Sequence, residues 1–161
     1  WQLYKLEIIG PGMGDVDQYR PEDRHYLKID EAKEVKVGWS TAKQNRSITG
    51  GQLQIAGEKF SHGIGTHAHS EITYDLSGKE FRRFYSMVGH NDGGRDTYLT
   101  FEVHVDHEKV FDSGDMKKGE PAKPLDISVE GADELKLVVT NGRDGKPEGD
   151  HADWGHAFLV K

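Results

Sequence analysis

The sequence predicts an all-β fold, an antiparallel β-sandwich of the jelly-roll type. Apolar residues alternate with polar ones in many short segments, and turn-forming residues separate these segments. No segment of ten or more residues repeats its apolar positions with the helical period of about 3.6. The 161 residues suffice for one domain with a sizeable core, and the 20 glycines suit a fold with many turns.

The N-terminal part predicts a strand, a loop and at most one helical turn. Leu6–Ile9 reads as a strand that ends at the turn signal Gly10-Pro11-Gly12, and residues 11–25 are rich in loop-forming residues. A single helical turn fits within residues 28–36. The alternation then predicts strands at these positions: Val35–Trp39, Leu53–Ile55, Ile72–Leu76, Phe84–Val88, Leu99–Val105, Val110–Phe111, Leu125–Val129, Leu135–Val139 and Trp154–Val160.

Two of the later segments carry information about burial. Phe84–Val88 is apolar on both faces, which indicates a strand covered on both sides, and the charged, proline-containing segment Met116–Pro124 predicts an exposed connection. We find neither an internal repeat nor a linker that would divide the chain. We therefore expect one β-sandwich over residues 1–161, in which residues 1–34 form a strand and loop extension of a core at residues 35–161.

Composition excludes several classes of function. The formal net charge is −7 and the 21 Lys and Arg residues are scattered, which argues against nucleic acid and anionic membranes as partners. There is no cysteine, so disulfides and thiolate chemistry are absent. The sequence contains no apolar run of transmembrane length and no visible signal peptide. We expect a mature form or a module of a longer protein.

Two histidines close together form the first candidate site. His67 and His69 are two positions apart, which on a strand would place both on one side. They could hydrogen-bond to sugar hydroxyls, bind a metal, or be structural. A cupin-type metal centre also needs a glutamate a few residues further along and a second histidine motif, and Glu71 is too near.

Three acidic residues, Asp92, Asp150 and Asp153, could supply oxygen ligands to calcium. The alternative is that Asp150 and Asp153 cap turns and pair with Arg46 or Arg143. Any bound cation should be hard and oxygen-ligated, because the chain has no cysteine.

Aromatic and guanidinium groups complete the list of candidates. Trp39 and Trp154 lie at strand ends, where an indole could stack on a sugar. Yet Trp39 is in phase with Val37, and Trp154 should share a core face with Phe158, which favours core packing for each. Arg46 could serve vicinal hydroxyls or a salt bridge, and the triplet Asn45-Arg46-Ser47 fits an N-glycosylation acceptor. No pair of carboxylates across a cleft, nucleophile elbow, P-loop or dinucleotide fingerprint indicates an enzyme.

A set of motifs occurs in one order along the chain and resembles a known family. The sequence is similar to the NPCBM domain, a carbohydrate-binding module related to carbohydrate-binding module family 51, over about residues 35–161. The residues that carry the resemblance are Asn45-Arg46-Ser47, Gly63-Ile64-Gly65-Thr66-His67, Ser70-Glu71-Ile72, Val88-Gly89 with Asp92, Phe111-Asp112-Ser113-Gly114, Glu134–Val139 and Asp150-His151-Ala152-Asp153-Trp154.

The resemblance implies a galactose-binding-domain-like sandwich that binds a galactose-type or related glycan without catalysis. It also implies attachment to a secreted glycoside hydrolase or another protein that is extracellular, cell-surface or periplasmic, and calcium often accompanies such sandwiches. His69 and the glycine- and histidine-rich segment Val88–Arg95 depart from the family pattern.

Sugar binding needs directional hydrogen bonds and an apolar plane, which our candidate set provides at strand ends. The set consists of Trp39, Asn45, Arg46, His67, His69 and Arg95. The alternatives are a protein-interaction or structural sandwich without a sugar site, and a histidine-dependent metalloenzyme.

Overall fold

The computed structural model describes residues 16–146 and 148–161, and the predicted strand Leu6–Ile9 with its following turn lies outside them. The described chain contains short 3₁₀ helices at Val16–Gln18, Pro21–Asp23, Ile29–Glu31 and Gly142–Asp144. Its strands are β1 (His25–Tyr26), β2 (Glu34–Val37), β3 (Lys43–Gln44), β4 (Leu53–Ile55), β5 (Glu58–Phe60), β6 (Gly63–His67), β7 (Ser70–Asp75), β8 (Arg83–His90), β9 (Tyr98–Val105), β10 (Glu108–Asp112), β11 (Met116–Lys117), β12 (Lys123–Ser128), β13 (Glu134–Thr140) and β14 (His151–Val160).

Two antiparallel sheets face each other, and this confirms the predicted β-sandwich. Sheet I has the strand order β12-β8-β14-β6-β3, with β1 paired to the end of β14. Sheet II has the order β10-β9-β13-β7-β2, with β11 paired to β9. Strands β4 and β5 form a separate hairpin. No helix in the described part of the chain is long and apolar enough to cross a membrane.

The main core lies between the sheets and is built from the inward residues of the alternating strands. Trp154 of β14 is fully buried there and meets the edge of Phe101 from β9, with ring centres 5.1 Å apart. Core packing is therefore the role of Trp154, as its pattern predicted.

Sheet I is also covered on its outer face, which explains why β8 is apolar on both sides. The β4–β5 hairpin buries Leu53, Ile55 and Phe60 there, beside Met87. The segment before β1 adds a second patch, in which Tyr19 packs edge-on against Phe158. The described part of the N-terminal extension thus adds a short strand and wraps one face of the sandwich.

Strand β14 departs from the predicted period-two pattern. A β-bulge shifts its register against β8 between Gly155 and Phe158, and His156 within it has a φ of 63°. One additional residue inverts the alternation. Trp154 consequently faces the core, whereas Phe158 stacks on Tyr85 on the outer face. The expectation that Trp154 and Phe158 share a face was wrong.

Two segments differ from their predictions because pairing partners are distant in sequence. Gly63–His67 forms its own strand, β6, between β14 and β3. Met116 is buried and pairs with Leu99, so the expectation of an entirely exposed connection from Met116 to Pro124 was wrong at its first residues.

Replacing Gly89 by Ala tests how closely the hairpin lies on sheet I. A Cβ atom at Gly89 would lie 2.5 Å from Cγ2 of buried Ile55. We expect this overpacking to lower the free energy of unfolding by about 1–3 kcal/mol in urea titrations. Gly51→Ala is the matched control, because its Cβ would meet only Ser47 Oγ at 3.4 Å. Equal stability of the two variants would contradict the described contact.

Candidate functional site

A cleft of about 500 Å³ lies where β14 begins and β6 ends, and we call it the Trp39 cleft. Loop residues and two histidines from neighbouring strands of sheet I line it. The lining residues are Gly38, Trp39, His67, Gly93, Arg95, Glu148, Gly149 and His151.

Trp39 forms the apolar wall of this cleft. It follows β2 and is 53% exposed, so the expectation that it packs in the core was wrong. The reason is local, because β2 ends at Val37 and the chain then crosses the turn between β6 and β7. A Cβ atom on Gly38 would lie 2.4 Å from the carbonyl oxygen of Ala68. Glycine is therefore required for this close crossing, which places the indole over the cleft.

His67 and His151 lie at the floor of the cleft. They are directly opposite each other on β6 and β14, and their ring centres are 5.5 Å apart. The Trp39 ring lies 5.4 Å from that of His67 and is parallel to that of His151 at 6.1 Å. The three rings thus form one aromatic corner.

The tautomer of His67 and the charge of His151 follow from their surroundings. His67 Nδ1 lies 2.7 Å from the carbonyl oxygen of Ala68, which can only accept a hydrogen bond, so we assign the proton to Nδ1. Its Nε2 is then an acceptor. Burial, reinforced by the nearby His67, lowers the pKa of His151 to about 4, so this ring is neutral near pH 7.

Arg95 and Glu148 add charged groups to the rim. The aliphatic stem of Arg95 crosses Gly149, where a Cβ atom would lie 2.5 Å from it, and Gly149 has a φ of 76°. Among the described residues the guanidinium group has no hydrogen bond or ion pair, so its donors are open to a ligand. Arg95 can donate hydrogen bonds and Glu148 can accept them, and both line the same cleft as the indole of Trp39. This combination can bind a polyhydroxylated ring.

The structure brings three of the six predicted sugar-binding residues together, namely Trp39, His67 and Arg95. His69 does not share a strand face with His67, because β6 ends at His67 and His69 lies in the following turn. Its Nε2 is instead 3.0 Å from Glu71 Oε2.

Asn45 and Arg46 do not line the Trp39 cleft. The side-chain oxygen of Asn45 accepts a hydrogen bond from the backbone N–H of Gly63 at 3.0 Å, and Arg46 Nη1 donates to the carbonyl of Gly50 at 3.4 Å. Both groups therefore hold backbone segments around β3 and β6.

The carboxylates predicted to bind calcium hold loops together. Asp92 accepts hydrogen bonds from the backbone N–H groups of Ala56 and Gly57, each at 2.9 Å, and so fixes the turn of the β4–β5 hairpin. Asp153 Oδ2 accepts from Gln54 N at 2.9 Å and from Asn91 Nδ2 at 2.6 Å.

Asp150 and Asp153 are buried. Asp150 Oδ1 is hydrogen-bonded to the hydroxyl of Thr97, and burial raises its pKa to about 6. Burial raises the pKa of Asp153 to about 8, which keeps this carboxyl largely protonated at neutral pH.

These acids do not fit a shared calcium site. In residues 16–146 and 148–161, no three Asp, Glu or His side chains are grouped so that they could hold one metal ion. Calcium prefers six to eight oxygen ligands, usually with ionised carboxylates, whereas Asp92 is already occupied by two backbone donors. We derive no role for calcium from these residues.

The chain is similar to known proteins. A family model described as the NPCBM/NEW2 domain matches residues 23–160. Alpha-1,3-galactosidase B of Akkermansia muciniphila is 33% identical over 112 residues, which cover 68% of this chain and 14% of that protein. The present chain thus spans a small part of this larger curated relative.

Two solved structures have the same fold. The CBM51 module of Clostridium perfringens GH95, in complex with methyl-galactose, is 37% identical with a TM-score of 0.76, covering 81% of this chain and 94% of that one. The CBM51-2 and INT domains of Clostridium perfringens ZmpB, with CBM51-2 in complex with GlcNAc, are 30% identical with a TM-score of 0.75, covering 81% of this chain and 30% of that one.

Replacing Asp153 by Asn tests the buried protonated carboxyl. The folded pKa of about 8 lies above the ordinary value of 3.8, so the folded state retains a proton that the unfolded state releases. The contribution to stability is complete below about pH 4 and is lost as the pH rises towards 8. We expect Asp153→Asn to gain stability relative to the original chain between about pH 5 and pH 8 in urea unfolding. Parallel pH profiles would contradict a raised pKa.

Proposed function

Since the chain belongs to the NPCBM/NEW2 domain family, we propose that its Trp39 cleft binds a galactose-type sugar within a larger glycan. The chain is a non-catalytic carbohydrate-binding module. The observation that carries the proposed site is the exposed indole of Trp39 in one cleft with the guanidinium group of Arg95, which has no partner among the described residues. An aromatic wall with a few convergent polar groups in a concave site is typical of small-ligand binding sites.

The chemistry of the cleft fits a pyranose ring. In galactose the axial hydroxyl lies on one face, and ring hydrogens make the other face apolar, which suits stacking on Trp39. Arg95 offers donors to adjacent hydroxyls, while His67 Nε2 and the carboxylate of Glu148 offer acceptors. The volume of about 500 Å³ lies within the range of small-ligand sites and suits one or two sugar rings.

The ligands of two solved relatives support a galactose-type sugar as the ligand and make GlcNAc the alternative to test against it. The relative of higher identity was determined with methyl-galactose, and the other with GlcNAc. We infer a preference for galactose because the relative determined with it has the higher identity, 37% against 30%. Asn45, Arg46 and His69 belong to this proposal only as groups that support the surrounding loops.

The proposal extends to the protein that contains this module. The curated relative is a much longer galactosidase, of which this chain spans 14%. We infer that the module directs an attached glycoside hydrolase or another glycan-acting protein to its substrate. A secreted, cell-surface or periplasmic location forms part of this inference, because such glycans are found outside the cytoplasm.

Replacing Trp39 by Ala tests the site. We expect methyl-galactoside to bind the original chain in isothermal titration calorimetry, with GlcNAc binding more weakly. The Trp39→Ala variant should bind at least about tenfold more weakly, since a tenfold loss corresponds to about 1.4 kcal/mol and removal of a central aromatic contact typically costs more.

Val35→Ala is the matched control. Val35 is an apolar residue of β2 that is 38% exposed and lies outside the cleft. This variant should retain full affinity. Equal affinities of the Trp39 and Val35 variants would overturn the placement of the sugar site, and absence of binding to any tested glycan would overturn the proposed ligand.

A further inference from the structure

We propose that His67 and His151 form a two-histidine site for a borderline divalent metal ion such as Zn²⁺, Cu²⁺ or Ni²⁺. The site lies at the floor of the Trp39 cleft, so that metal ion and glycan exclude each other. Metal binding stands on the geometry of the two histidines, whereas the exclusion rests on the proposed function.

The distance between the rings suits one bridging metal ion. His67 and His151 are directly opposite residues of the antiparallel strands β6 and β14, and their ring centres are 5.5 Å apart. With a zinc–nitrogen bond of about 2.1 Å and about 1.1 Å from ring nitrogen to ring centre, two imidazoles on a tetrahedral metal have centres roughly 5.2 Å apart. The separation of the two ring centres is therefore close to that of two histidines on one tetrahedral metal ion.

Suitable nitrogen atoms are available on both rings. The hydrogen bond between His67 Nδ1 and the Ala68 carbonyl fixes the tautomer whose Nε2 carries the lone pair. This carbonyl is the kind of outer partner that commonly orients metal-binding histidines. Neither His67 Nε2 nor His151 Nε2 has a hydrogen-bond partner among the described residues, and neither is an enclosed atom, so both face solvent in the cleft.

The histidine pair also selects the class of metal. Imidazole nitrogen suits Zn²⁺, Cu²⁺ and Ni²⁺, whereas Ca²⁺ and Mg²⁺ prefer oxygen ligands. No third Asp, Glu or His completes the group within the described ranges, so water fills the remaining positions. His151 Nδ1 is enclosed and has no hydrogen-bond partner in the part of the chain that the structure describes, so only the His67 ring has its outer nitrogen supported. The site should therefore be weaker than a three- or four-ligand centre.

A titration with metal alone tests the site without any glycan. We expect Cu²⁺ and Zn²⁺ to bind the original chain in a ratio of one to one by calorimetry, and Ca²⁺ and Mg²⁺ to give no heat from this site. His67→Gln and His151→Gln should each weaken binding at least tenfold. His69→Gln is the matched control, because this histidine is exposed and bound to Glu71 outside the cleft.

The outcomes separate the two proposals. Loss of binding in His151→Gln alone supports the site even if His67→Gln, which alters a buried residue, fails to fold. Undiminished binding in a folded His151→Gln variant, or the absence of Cu²⁺ binding, would overturn it. In a second titration, saturating Zn²⁺ should weaken methyl-galactoside binding at least tenfold. Equal glycan affinity with and without Zn²⁺ would overturn the exclusion, and a glycan that never binds would overturn the proposed function while the metal titration stands.

Discussion

The double pairing of β14 is the constraint on which the rest of the structure depends. This strand hydrogen-bonds to β6 on one side and to β8 on the other, and alternate residues of its first half serve opposite faces. Trp154 fills the space between the sheets, while the neighbouring Asp153 binds Gln54 and Asn91 on the outer face. The same register sets His151 opposite His67. A shift of one residue in the register of β14 would exchange its core and outer-face residues. His151 would then no longer lie opposite His67.

The cover on the outer face of sheet I connects stability to the site. Asp92 and Asp153 fasten the β4–β5 hairpin to the loop after β8, and that loop carries Arg95. A further hydrogen bond joins Arg95 N to the carbonyl of Gly149 at 3.1 Å. The loops around the cleft are therefore held by hydrogen bonds before any ligand binds, and this lowers the entropic cost of binding. Asp92 and Asp153, which the sequence suggested as metal ligands, instead accept hydrogen bonds from backbone N–H groups.

Local pattern was sufficient for the fold but not for the whole site. Alternation identified most strands, including the doubly covered β8, because burial of alternate residues is a local signal. It failed at the bulge around His156, since one additional residue inverts the phase without any mark in the pattern. His151 and Glu148 were missed because their roles depend on strand register and loop approach. Trp39 was among the sugar-binding candidates, yet its pattern favoured core packing, because the end of β2 at Val37 could not be seen in its alternation.

Chemical-shift mapping with methyl-galactoside tests the central claim most directly. In a titration of the isotope-labelled chain, the account predicts saturable shifts at the Trp39 indole, the Arg95 side chain and the rings of His67 and His151. Signals from the cleft lined by Tyr26 and His62, elsewhere on the surface, should remain in place. Shifts confined to that second cleft, or to any surface away from Trp39, would contradict the assignment of the sugar site.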